Sequence, residues 1–153
     1  MEKPKIVAKI YKELRSQFER MLAAAQLAES YATDQDNQAE SKYDTRALEA
    51  SYLASGQAEK ARELAEAVEL FETLELPAFE ETDPIDLGAL VEGDLDGELV
   101  FYLIAPRGGG LVTEHEGCEL TVLTPEAPLA QQLLGKRAGD ELEIPKLKIY
   151  EVS

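Results

Sequence analysis

The stretch YATDQDNQAESKY, residues 31–43, gathers three carboxylates, Asp34, Asp36 and Glu40, and sets Lys42 beside them. Oxygen-only side chains at this density suit a hard divalent cation, which takes carboxylate and water ligands. Such ions, used in pairs, stabilise both the attacking and the leaving oxygen of an in-line displacement at phosphorus. One or two carboxylates are too few to hold magnesium tightly, so a site here needs completing by a partner. The same residues also fit a plain helix start. Asn37 followed by Glu40 has capping-box spacing, and acids ahead of a helix N-terminus are favoured by about 0.3–1 kcal/mol at an exposed site.

Other chemistry-bearing residues read more simply. His115 is the only histidine and lies in TEHEG, so it makes neither a triad nor a zinc site; a surface turn residue is expected. PRGGGLV has glycines for a phosphate loop, but no Lys-Ser/Thr pair opening a helix follows, and a hairpin turn is expected instead. Cys118 is alone and forms no internal disulfide. No self-contained active site is expected.

The acidic stretch must be positioned by what flanks it. Before residue 75 the chain is rich in Ala, Leu, Glu, Lys and Gln, with Gly56 its single glycine and no proline after Pro4. Val7, Tyr11, Leu14, Phe18, Met21, Ala25 and Ala28 advance by alternating fours and threes, the heptad seam of a coiled coil and narrower than the stripe of a helix on a globular core. Tyr43, Ala47, Ala50, Ala54, Gln57, Ala61, Leu64, Val68 and Phe71 repeat it. A reversal near Asp36 sets Met21 by Ala54, Leu14 by Ala61, Tyr11 by Leu64 and Val7 by Val68, large against small. The expectation is a helical hairpin with arms roughly 40 Å long. Lys3, Lys5, Lys9, Lys12, Arg15 and Arg20 make the first helix its basic side, facing acids such as Glu59, Glu63 and Glu66 on the second.

LELPAFEETDP, residues 74–84, ends the helices, and beyond it the alphabet changes to strands. EGDLDG is a turn between two apolar runs, GCELTVLTP a strand, PLAQQLLGK a short helix stopped by Gly135, RAGD a turn, and ELEIPKLKIYEVS the closing strands. The fold class is α+β: a coiled-coil hairpin over 1–75, a linker over 76–84, and a small antiparallel β domain with one short helix over 85–153.

Of 153 residues, 31 are Asp or Glu and 15 Lys or Arg, a formal charge of −16. That balance excludes a duplex-DNA binder of the usual electrostatic kind, which needs a clustered positive surface. The longest apolar run, LVFYLIA over 99–105, is far short of the roughly 20 residues that span a bilayer, and MEKPKIVAKIYKELR has no apolar core of a signal peptide. With the lone cysteine, these point to the cytoplasm.

Two segments resemble the Gre-type bacterial transcription elongation factors, the GreA/GreB family. TPEAPLAQQLLGKRAGDELEI, residues 124–144, is similar to the family's C-terminal signature at Pro128, Leu129, Leu133, Leu134, Gly135, Lys136, Gly139 and Asp140, with Ala130 where the family mostly has Gly. Tyr43 and Tyr52 have the spacing of two aromatics that follow the family's coiled-coil tip. That register sets the family's tip Asp on Asp36 and its tip Glu on Ala39, with Glu40 one place later.

The resemblance implies an FKBP-like C-terminal domain that docks on RNA polymerase, and a coiled coil that enters the polymerase's secondary channel. There Asp36 and Glu40, with Asp34, would share a magnesium ion with the polymerase and stimulate cleavage of backtracked RNA. The chain would be an activator and not an enzyme, with no cofactor bound stably. Its partner would be bacterial RNA polymerase; nascent RNA would be met inside it, DNA only as part of the elongation complex, and no membrane. Arg15 and Arg20 would face the RNA end, and Lys42 and Arg46 the channel lining or RNA phosphates. Two alternatives stand beside this: a channel occupant that does not stimulate cleavage, as Ala39 suggests, and a coiled-coil dimer carrying an unrelated binding module.

Overall fold

A computed structural model describes residues 3–33 and 58–153. Among the described residues two helices come first, α1 (Lys3–Thr33) and α2 (Ala58–Thr73). Six strands and a short helix follow: β1 (Leu90–Leu95), β2 (Glu98–Ile104), β3 (Val112–His115), β4 (Cys118–Leu123), α3 (Pro128–Leu133), β5 (Glu141–Leu142) and β6 (Leu147–Val152). The architecture is α+β, as expected.

The strands form one sheet in the order β3-β4-β2-β1-β6-β5. Four pairings are antiparallel, but β2 and β4 run parallel, Val100 beside Glu119 through Ile104 beside Leu123. The sheet is therefore mixed, and PRGGG is not the turn of a hairpin. It carries the chain past the place β4 will fill and starts β3, which folds back through Glu116 and Gly117 to lay β4 against β2. Glu116 and Gly117 both have positive φ, 52° and 77°, the backbone a two-residue hairpin turn requires. The β1–β2 turn is likewise shorter than EGDLDG: residues 92–95 stay in the strand, and Asp96 and Gly97 alone turn, at φ 51° and 92°.

The apolar run at 99–105 now has a cause. Strand β2 lies inside the sheet with both faces covered, so alternation is replaced by continuous hydrophobicity. Phe101 and Leu103 point to one core with Leu90, Leu120 and Val122; Val100, Tyr102 and Ile104 point to the other. The second core is closed by Ala130 and Leu133 of α3 and by Leu147, Ile149 and Val152 of β6.

The first core is shared with the helices. Ile6, Val7, Ile10 and Leu14 of α1 and Ala67 and Phe71 of α2 are buried with the sheet residues, and Tyr11, Leu64 and Val68 pack against them. The two seams thus meet with α1's start beside α2's end, the antiparallel sense expected. At its base, however, α1 is broader than a coiled-coil seam. Ile6 and Ile10, 3% and 0% exposed, lie beside the heptad positions and widen the stripe onto the sheet, so this part behaves as a helix on a globular core.

The stretch 76–84 is packed along both cores: Leu76 against the first and Phe79 against the second. Just past it, Ile85 exchanges backbone hydrogen bonds with Lys136 and Gly135 at 2.7 and 2.9 Å, tying the connector to the end of α3. Among the described residues, no helix is long and apolar enough to cross a membrane.

Candidate functional site

On α1, none of the residues from Arg15 to Ala24 is buried. The helix nevertheless continues to Thr33, roughly 28 Å beyond Leu14 at 1.5 Å per residue. Its periodic sequence supports this length without the sheet, since Leu, Ala, Gln, Glu and Arg are strong helix formers. Asp34, Asp36 and Glu40, together with Lys42, Arg46, Ala39, Tyr43 and Tyr52, lie outside the described residues. The shared-magnesium expectation rests on Asp36 and Glu40 and therefore lies there too. Among the described residues, no group of three or more His, Cys, Asp and Glu could hold a metal ion.

Arg15 and Arg20 are described, and both are exposed and paired on their own helix. Arg15 Nε meets Glu19 Oε1 at 3.1 Å, and its Nη1 donates to Tyr11 Oη at 3.4 Å; Arg20 Nη2 is 3.8 Å from Glu13 Oε1. The bonds to Glu19 and Tyr11 raise the Arg15 pKa, so the guanidinium stays charged. Five residues apart, the two arginines stand about 140° apart around the helix and do not form one patch. Exposed pairs of this kind contribute little and exchange readily for a phosphate, which guanidinium binds in a fork.

The expected matching of α1's basic residues to α2's acids is not what forms. Glu59 pairs with Arg62 on its own helix at 3.1 Å, and Glu66 pairs with Arg107 of the glycine-run loop at 2.7 Å. Lys9 donates to the backbone carbonyl of Glu114 on β3. Lys3 is not a solvated charge at all: it is 7% exposed, and burial lowers its pKa to about 8. Its acceptors are backbone carbonyls, and carbonyls leave no mark in a charge pattern.

Beside the arm's base lies a cleft of about 730 Å³, between Leu14, Lys60 and Leu64 of the helices and the glycine run. Gly108, at φ 86°, brings this loop so close that an added Cβ would stand 3.3 Å from the Phe71 ring. Lys60 and Glu63 of α2 line it together with Arg107 and Glu126, and among the described residues no nucleophile–base pair does. His115, expected at the surface, is half-buried at the end of β3, its ring edge-on to Phe101 at 4.8 Å.

The chain matches no protein-family model and no curated protein. Among solved structures it is similar to the crystal structure of GreA factor homolog 1 (Gfh1) of Thermus thermophilus, at 18% identity and TM-score 0.34, with 94% of each chain covered. The structure of the transcription factor Gfh1 is 21% identical at TM-score 0.38, with 93% of this chain and 92% of that one covered. Thermus aquaticus Gfh1 is 18% identical at TM-score 0.35, covering 95% and 92%. At such identities and scores the likeness assigns neither a family nor the role of any residue.

Proposed function

We propose that this chain is a transcription factor of the Gre type, which reaches into the secondary channel of bacterial RNA polymerase with its helical arm and stimulates cleavage of backtracked RNA. The observation that carries the reading is the length of α1: it is anchored on the sheet as far as Leu14 and runs on to Thr33, into a segment dense in carboxylates. In this reading Asp36, with Glu40 and Asp34, supplies oxygen ligands to a magnesium ion that polymerase also holds. A two-ion site activates water and stabilises the leaving oxygen of RNA. The arm delivers ligands and the partner completes the site, so the protein is an activator. Arg15 and Arg20, together with Lys42 and Arg46, would give up exposed pairings for RNA phosphates or the channel lining.

The test is a transcript-cleavage assay on stalled, backtracked elongation complexes under saturating magnesium. The protein should shorten the RNA faster than polymerase alone, and Asp36→Ala should remove most of the gain. No acceleration with binding intact would refute cleavage. A second reading, a channel occupant without cleavage, is favoured by Ala39 at the place where the Gre tip has Glu. Gain of cleavage by Ala39→Glu would select it.

A further inference from the structure

Lys3 stands in the first turn of α1, where a cation is opposed by the helix dipole, and it is buried. Both placements disfavour its charge, yet its ammonium is fully engaged. Lys3 Nζ donates to the carbonyl of Pro77 at 2.7 Å and of Gly88 at 3.0 Å, and stands 4.7 Å from the centre of the Phe79 ring. Those acceptors belong to different parts of the molecule. Pro77 and Phe79 follow the end of α2. Gly88 is fastened to the sheet, its N–H donating to Ile104 at the end of β2 at 2.7 Å. Pro77 and Gly88 are themselves in contact, since a Cβ added to Gly88 would stand 2.6 Å from Pro77 Cδ. One side chain therefore binds the start of α1, the exit of α2 and the sheet at a single point.

Among the described residues, what else joins the helices to the sheet is either apolar or exposed. The shared core holds the parts together, but hydrophobic contact is non-directional. The Arg107–Glu66 pair is about half exposed, and the Lys9 bond is exposed. Exposed ion pairs resist tilting only weakly. We infer that Lys3 is the latch that fixes the direction in which the helical arm leaves the sheet. It is a positioning residue, and its effect is read at the arm's far end. Arg20 lies about 25 Å along the helix from Lys3, so a tilt of 10° at the base moves that level by roughly 4 Å.

The experiment is a distance measurement between spin labels at Arg20→Cys and Glu98→Cys in the full chain, on a Cys118→Ala background. With Lys3 present, one narrow distribution is expected. Lys3→Met should broaden it or shift its maximum by about 4 Å or more while the circular dichroism of the fold is kept. Should Lys3→Met not fold, Phe79→Leu, which removes the ring under the ammonium, should broaden the distribution to a smaller degree. Ile85→Val, in the core on the other face, serves as a control that lowers stability and should leave the distance unchanged. Distributions for Lys3→Met and Phe79→Leu that superimpose on the parent's would overturn the inference. So would an equal broadening by Ile85→Val.

Discussion

Replacing Gly88 by alanine probes the tightest point of the junction. Gly88 has φ 93°, and its added Cβ would meet Pro77 Cδ at 2.6 Å and Cγ at 2.8 Å. A side chain in this left-handed region costs about 1–2 kcal/mol by itself. The clash is separate. The proline ring is tied to its own backbone and cannot swing aside, so relief requires moving the connector, and overpacking of this kind costs about 1–3 kcal/mol. The total loss expected is about 2–5 kcal/mol. Gly97 isolates the first part, for its φ is 92° and nothing lies within 4 Å of an added Cβ. Gly97→Ala should lose only about 1–2 kcal/mol. Urea unfolding at neutral pH, followed by circular dichroism, measures both, and in a chain of this size each kcal/mol also moves Tm by roughly 2–4 °C. Equal losses for the two substitutions would refute the reasoning, because Pro77 would then be yielding freely.

Three further outcomes follow from the cores and the latch. Phe71→Ala, at a side chain 1% exposed in the core shared by helices and sheet, should cost about 3–5 kcal/mol in the same urea experiment. Ile144→Ser, at a position 82% exposed, should change stability by less than about 0.5 kcal/mol. Lys3 has its pKa lowered from 10.5 to about 8 by burial, so between those values the unfolded chain binds more protons than the folded one. The stability of the parent relative to Lys3→Met should therefore rise as pH goes from about 8 towards 10.5. Urea midpoints of both proteins at pH 7.5 and pH 10 check the sign, and their difference cancels the tyrosines, whose raised pKa values act in the opposite direction.

Legibility from sequence tracked locality. The heptad positions Val7, Tyr11 and Leu14 foretold the helix pair, and Asp96-Gly97 and the Gly135 stop lie where local backbone chemistry demands them. Ile6 and Ile10 fall outside a heptad reading, which follows one seam, while a helix against a sheet buries a wider stripe. The parallel β2–β4 pair was hidden because a glycine run opening a crossover looks like one closing a hairpin; pairing across that distance is decided by burial of both faces of β2. By sequence Lys3 reads as one more solvated cation, because its acceptors are main-chain carbonyls far along the chain. At the candidate site, the types and spacing of Asp34, Asp36 and Glu40 are plain in the sequence, and these positions lie outside the described residues.

The hydrogen bond from Lys9 to the Glu114 carbonyl has a consequence for the protein's behaviour at high concentration. Strand β3 is an outer edge of the sheet, and an open edge is a template on which another chain can add a strand. At four residues β3 is short, and the helix that forms the arm's base reaches over and occupies one of its acceptors with a lysine. At the opposite margin, β5 offers only two residues. Neither border is a good seed for aggregation, so the same helix that carries the arm outward also guards the sheet against copies of itself.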